Sequence, residues 1–414
     1  MMKRGLLFYF GTLGVLAAGG YKIPEQSLEG MALGAAHIAH TTGADSAYYN
    51  PANMAFLDPK THYAEADLTL VHLPDMDYKG LQFLPGHGFV PADGESEHEW
   101  AVFPTLHYVH SAQGRARWGV SLTAPVGQTR RWNSPIQKTF AEKFYLMTAE
   151  LNPSLSVKIS DTLALAGGIR FIYSEGKVNS DGRAAGIPLR RQMWGDTTAV
   201  GYNLALAWHP GSDWEVGATY RSRVDLTEEG TANLYLGGVG RAYSARVTIP
   251  MPAALNIGVA KTFDDRLTVE LVYERTYWSA YQKLDFEYDT PIPPALVPYF
   301  DDPKNKQWRD TNTFRIGVSY KWNDRLTLMG GYAYDQTPVP SHSLSYELPD
   351  SDANIFSAGF SFQQTENLKW GMAILYDHKK KRHISAADHN EYGIVGTFDK
   401  GGAILTTVGF EYKF

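Results

Sequence analysis

The chain has no cysteine among its 414 residues, which removes disulfides, thiolate metal sites and cysteine nucleophiles together. Beyond the first twenty positions it also lacks any apolar run of about 18 residues, so no segment reads as a membrane-spanning helix. Basic residues are in the minority, 38 Lys and Arg against 44 Asp and Glu for a formal net charge of −6, and no nucleic-acid partner is expected. Thirteen histidines are present, yet none stands in an HxxxH spacing with a carboxylate partner. Neither an enzyme nor a cofactor or metal site is expected. The Asp301-Asp302 and Asp350/Asp352 pairs read as solvated loop carboxylates.

What is present begins with a secretory signal peptide over residues 1–20: Lys3 and Arg4, an apolar run from Leu6 to Ala18, then small residues. Val15-x-Ala17 and Ala18-x-Gly20 are both acceptable cleavage sites, which puts the mature start between Ala18 and Tyr21. From about Thr61 to Phe414 the pattern has period two. Ile404, Thr406, Val408, Phe410, Tyr412 and Phe414 share one face and Leu405, Thr407, Gly409, Glu411 and Lys413 the other. Leu368–Asp377, Phe314–Trp322, Leu163–Tyr173, Val200–Trp208 and Leu267–Tyr273 alternate in the same way.

Alternation alone fits a soluble sandwich as well as a barrel. Three features favour a transmembrane antiparallel β-barrel. Aromatics gather at strand ends (Trp208, Trp214, Phe263, Trp322, Phe362, Trp370, Phe414), as a membrane girdle requires. The other face carries charges (Arg170, Glu270, Glu274, Arg315, Glu411) that a dry core would reject and a wet lumen accepts. Connections also alternate between short turns, such as Asp264-Asp265-Arg266 and Asn323-Asp324-Arg325, and long polar ones near 75–98, 127–143, 176–192, 230–245, 290–307, 338–353 and 379–392. The count is about 14 strands, an even number as single-chain bacterial barrels require. The all-β barrel is assigned to residues 59–414 and the preceding segment to residues 21–58.

That segment contains Asn50-Pro51-Ala52, a rigid turn set in a run rich in Ala and Gly that has no core of its own and needs walls around it. By itself it reads equally as a loop. Glu25-Gln26-Ser27 with this turn, Pro252 to Val259 with Tyr277-Trp278-Ser279-x-Tyr281, and Trp308-x-Asp310-Thr311 through Gly331-Tyr332-Ala333-Tyr334-Asp335-Gln336-Thr337-Pro338 together resemble the FadL/TodX-type (OmpP1) outer-membrane channels for long-chain fatty acids and other hydrophobic compounds. The resemblance spans nearly the whole mature chain.

It implies a barrel plugged by its own N-terminal hatch, here 21–58, with capture of ligand among the outer loops and lateral exit at a kinked third strand. It also places Tyr21 as a ligand-pocket residue. The third strand is then Arg115 to about Pro125, and Gly119, Pro125 and Gly127 are the candidate kinks. Asn50, Pro51 and Ala52 are expected to act as the gate lying against that kink. Expected partners are a long-chain fatty acid or an aromatic hydrocarbon, together with outer-membrane lipid and lipopolysaccharide, the last through the basic runs Arg130-Arg131 and Lys379 to Arg382. The chain is expected to work as a monomer in the outer membrane of a Gram-negative bacterium. The alternatives are a porin-like channel for polar solutes and a structural or adhesive barrel.

Overall fold

A computed structural model describes residues 19–414, so the expected signal peptide lies almost wholly outside the described residues. Fourteen strand positions form one closed antiparallel wall. They are β1 (Tyr63–Leu73), β2 (Glu99–Val109), β3 in two pieces (Ala116–Thr123 and Gly127–Arg131), β4 (Lys143–Lys158) and β5 (Leu163–Asp181). The wall continues with β6 (Leu189–Trp208), β7 (Trp214–Arg221 and Val224–Leu236), β8 (Val239–Met251 and Ala254–Phe263) and β9 (Leu267–Thr276). It ends with β10 (Thr311–Lys321), β11 (Leu326–Asp335), β12 (Ala353–Gln363), β13 (Leu368–Lys379) and β14 (Gly402–Lys413). Each pairs with its sequence neighbour, and β14 returns to β1 in register Lys413↔Tyr63 through Ile404↔His72. Closure of β14 on β1 leaves the sheet without a terminal edge strand, the form that satisfies strand backbones in hydrocarbon.

The period-two pattern sorts residues as the sequence predicts. Leu68, Leu106, Leu155, Ile169, Leu204, Leu271, Phe314 and Phe410 stand exposed on the outer face, a continuous apolar surface that only lipid would cover. Trp208, Trp214, Phe263, Trp322 and Phe414 are exposed at the short-turn end. Arg170, Glu270, Glu274, Arg315 and Glu411 are buried on the inner face.

Two of the expected long loops are strand. The 176–192 and 230–245 stretches are the upper ends of β5–β6 and β7–β8, paired out to Arg190↔Asp181 and Leu236↔Val239. Their polarity reads as loop because a strand that rises past the bilayer no longer needs an apolar face. Orientation is testable in a chain free of cysteine. A cysteine introduced at Ala387, in the β13–β14 loop, should react with a membrane-impermeant maleimide on intact cells. One at Asp324 should react only after the outer membrane is opened, and labelling of Asp324 on intact cells would reverse the topology.

Candidate functional site

The site begins at a break in the wall. β3 pairs with β2 only from Leu106↔Leu122 to Val109↔Gly119, and its second piece pairs only with β4. The backbone from Glu99 to Thr105 therefore has no partner on the β3 side. Three adjacent residues cause this. Pro125 has no N–H to give a ladder, the Ala124 N–H goes to Gln26 Oε1 at 2.7 Å, and the Val126 N–H goes to Thr148 Oγ1 at 3.1 Å. Ladder pairing resumes at Gly127. Gly119 lies inside a regular ladder and is not a kink; it is small because Ala47 and Met54 of the N-terminal segment pack against it.

The gap is filled by residues 21–26 of the N-terminal segment. Ile23 N–H donates to the Pro125 carbonyl at 2.9 Å and Gly127 N–H donates to the Tyr21 carbonyl at 3.1 Å, a single antiparallel bridge centred on Lys22 and Val126. Gln26 Nε2 donates to the Ala124 carbonyl at 3.1 Å, and the His107 ring on β2 lies 2.8 Å from the Gln26 carbonyl. The expected partner of the kink, Asn50-Pro51-Ala52, is elsewhere. Asn50 caps the turn of Pro51–Phe56 and its Nδ2 donates to the carbonyls of Ile38 and Leu206, at 2.9 and 3.1 Å. Ala52 sits among Ala164, Ala205 and Ala207 low on β5 and β6, with Ser156 Oγ donating to its carbonyl at 3.1 Å. The turn fastens the hatch to that stripe of small residues, and residues 21–26 close the gap.

Wall carboxylates hold the rest of the hatch inside the lumen. Glu270 accepts the N–H groups of Ile38, Ala39 and His40 at 2.6, 2.7 and 3.1 Å, and Glu411 accepts Ala44 N–H at 2.9 Å. A buried charged acceptor satisfying orphan amides is a strong anchor. Close approach is allowed by inward glycines. A Cβ at Gly217 would strike the Ile38 carbonyl, and one at Gly331 would strike the Leu33 carbonyl. Within the hatch, His37 Nε2 lies 3.0 Å from Asp45 Oδ2. Burial opposes charge on this ring, but Asp45 and Glu29 win and push its pKa up to about 9. A raised histidine stabilises the hatch fully below its unfolded value near 6.5 and loses that contribution as pH rises through about 9. Protection factors of hatch amides, with the base-catalysed intrinsic exchange rate divided out, are expected to fall across that interval and to show no such step in His37→Leu.

Behind the gap-filling residues lies a small cavity of about 60 Å³, bounded by Lys22, Pro125, Arg170, Arg221, Glu274 and Arg315, with Ile38, Tyr48 and Met251 as apolar wall. Four cations face it, and Glu274 is the sole carboxylate in its lining. Arg170 is fully engaged by Glu150 and the Ser222 carbonyl. Arg221 pairs with Glu150 through Nη2 and stacks over Tyr48 at 4.5 Å, while its Nη1 has no partner among the described residues. Arg315 reaches Glu274 at 3.6 Å, and its Nη1 is likewise unpartnered. Lys22 Nζ donates to Glu274 at 2.6 Å, so the bridge residue itself is tethered across the lumen.

Tyr21 is buried one residue away, its hydroxyl donating to the Pro250 carbonyl at 2.6 Å. Its ring lies 4.7 Å from Trp278 and 5.5 Å from Trp308.

Residues 13–414 match the family described as outer membrane protein transport protein (OMPP1/FadL/TodX). The chain belongs to that family. Among curated proteins it is 24% identical to the long-chain fatty acid transport protein of Escherichia coli O6:H1, over the full length of both chains. It is 23% identical to outer membrane protein P1 of Haemophilus influenzae Rd, over 92% of each. Its fold is similar to that of a Pseudomonas aeruginosa FadL homologue (TM-score 0.81, 21% identity, 95% and 99% of the two chains). The Pseudomonas putida toluene transporter TodX is also similar (TM-score 0.72, 18% identity, 96% and 99%). As a member of the FadL family the chain is an outer-membrane transport protein of a Gram-negative bacterium, built as a 14-stranded barrel around a hatch.

The sequence pointed to Tyr21 and Pro125 but not to Lys22, Gln26, Arg221 or Glu270, whose roles depend on pairings made across the lumen. Of the Arg130-Arg131 run, only Arg131 reaches the surface. Arg130 is buried, with Nη1 donating to the Ser96 hydroxyl at 3.0 Å, and Arg131 pairs with Glu99 at 3.3 Å.

Proposed function

We propose that this barrel takes up long-chain fatty acids by loop capture, lumenal binding and sideways release between β2 and β3, acting as a single chain and without chemistry on its cargo. The observation that carries the reading is the coincidence of a broken ladder, a hatch segment filling it through a single bridge, and a cationic cavity directly behind. Capture starts on the first loop, where Leu81, Phe83 and Phe89 are exposed with the two Phe rings 5.5 Å apart. Apolar chains gain free energy by partitioning onto such surface. In the cavity, the two guanidinium nitrogens without partners on Arg221 and Arg315 favour a ligand that brings its own anion. A fatty acid does so and a neutral aromatic hydrocarbon does not. An open pore for polar solutes does not fit a lumen occupied by residues 21–58.

The test is binding of a fluorescent long-chain fatty acid, and of toluene as the neutral probe, to purified protein. Arg221→Gln with Arg315→Gln removes two charge-assisted contacts of about 1.5–3 kcal/mol each, so fatty-acid affinity should fall by roughly a hundredfold or more. Toluene binding should be unaffected. Equal fatty-acid binding by wild type and variant would favour a neutral cargo instead.

A further inference from the structure

A second charged cleft lies outside the lumen. Its wall combines Arg309 before β10, Thr337, Ser341 and His342 in the β11–β12 loop, and Arg382 in the β13–β14 loop, around about 890 Å³ of open space. Arg382 is held in place, its Nη2 donating to the Val339 carbonyl at 2.9 Å and to Ser341 Oγ at 3.2 Å, which leaves its other guanidinium donors for a ligand. Arg309 is exposed, and among the described residues its side chain has neither an ion pair nor a hydrogen bond. His342 Nε2 is shut off from solvent with no partner. Asp388 is the one carboxylate in the lining, and its Oδ2 is taken by the Ser385 amide and hydroxyl, each at 2.7 Å.

We infer that this cleft binds a phosphate monoester, and that the phosphate belongs to the phosphorylated glycolipid of the surrounding outer leaflet. Two guanidinium groups on the wall of one cleft that also carries hydroxyls are the chemistry that grips phosphate oxygens. Height supplies the second half of the argument. Tyr332, Phe356 and Tyr376 are mutual register partners on β11, β12 and β13 and stand exposed on the outer face as an aromatic row, the position of a membrane interface. Thr337 lies five residues beyond Tyr332 and Arg382 six beyond Tyr376, on the order of 10–15 Å higher along tilted strands. That is the level of headgroup sugars and phosphates rather than of acyl chains.

The test is native mass spectrometry of the full barrel reconstituted with lipid A and, separately, with lipid A stripped of its phosphates. Arg309→Gln breaks no contact of the fold, and its combination with Arg382→Gln removes both cations; heat-modifiable mobility confirms folding of each. One phosphorylated lipid A retained per wild-type barrel, a several-fold loss of occupancy in Arg309→Gln and near-complete loss in the double variant, with fatty-acid uptake unchanged, supports the site. Equal retention by wild type and double variant overturns it, as does equal retention of the dephosphorylated lipid. Saturation by inorganic phosphate without retention of lipid A overturns the glycolipid assignment and makes a soluble phosphate ester the ligand.

Discussion

Deletion of residues 21–58, with residues 1–20 retained, is expected to convert a closed barrel into an open pore. All fourteen strands lie downstream of Thr61, and β14 pairs with β1 without any hatch residue between them. The hatch contributes no strand to the wall, so the truncated chain retains every ladder bond of the barrel. What it loses is the filling of the lumen, from Leu28 against Gly371 and Gly409 on one side to Asn50 against Gly217 on another. Planar-bilayer conductance should rise by more than an order of magnitude, and swelling of liposomes in small sugars should become fast. A milder form of the same effect is expected for Gly331→Val, whose side chain collides with the Leu33 backbone and pushes the hatch off β10–β12. Insertion failure of the truncated chain alongside normal insertion of the full one would mean that the segment is a folding element rather than a plug.

The wall was legible in the sequence because lipid imposes a strict rule on it. Every second residue from Ile404 to Phe414 meets hydrocarbon, so alternation, girdle aromatics and short turns such as Asn323-Asp324-Arg325 all speak for the same surface. Two strand extensions escaped because β5–β6 and β7–β8 rise out of the bilayer, where polar residues on both faces cost nothing.

Pro125 was legible as a break, since a missing N–H is a property of the residue itself. Gly119 was misassigned for the opposite reason. Its small size serves the approach of Met54, a contact between residues 54 and 119 that no local pattern displays. Asn50-Pro51-Ala52 was correctly seen as a rigid turn, but its location follows from the alanines it meets at 164, 205 and 207. Glu270 looked like any lumenal charge, and only the fold reveals it as the acceptor of three consecutive hatch amides.

The second large effect concerns the way out. Lys22 and Val126 face each other between the two backbone bonds that span the gap, Ile23 to Pro125 and Gly127 to Tyr21. A facing pair of this kind in antiparallel backbone has Cα atoms about 4.5 Å apart, at the near edge of the range a disulfide tolerates. In a protein with no other cysteine, Lys22→Cys with Val126→Cys should oxidise cleanly. The crosslink pins the hatch segment in the opening without adding bulk to the cavity, whose guanidinium groups stay in place. Ligand is then captured and bound, but the backbone that must leave the gap cannot move. Binding of fatty acid should persist while its transfer into the membrane stops.

The most direct measurement is therefore uptake of a radiolabelled long-chain fatty acid by cells carrying this double-cysteine variant, with and without a reductant, against a Lys22→Ser control that lacks the crosslink. Uptake near zero when oxidised, restored by the reductant to the level of the control, is the result expected of sideways release between β2 and β3. Uptake by the oxidised, crosslink-verified protein that equals the reduced rate would contradict it, and would require that the fatty acid leave by a path that does not pass the Lys22–Val126 bridge.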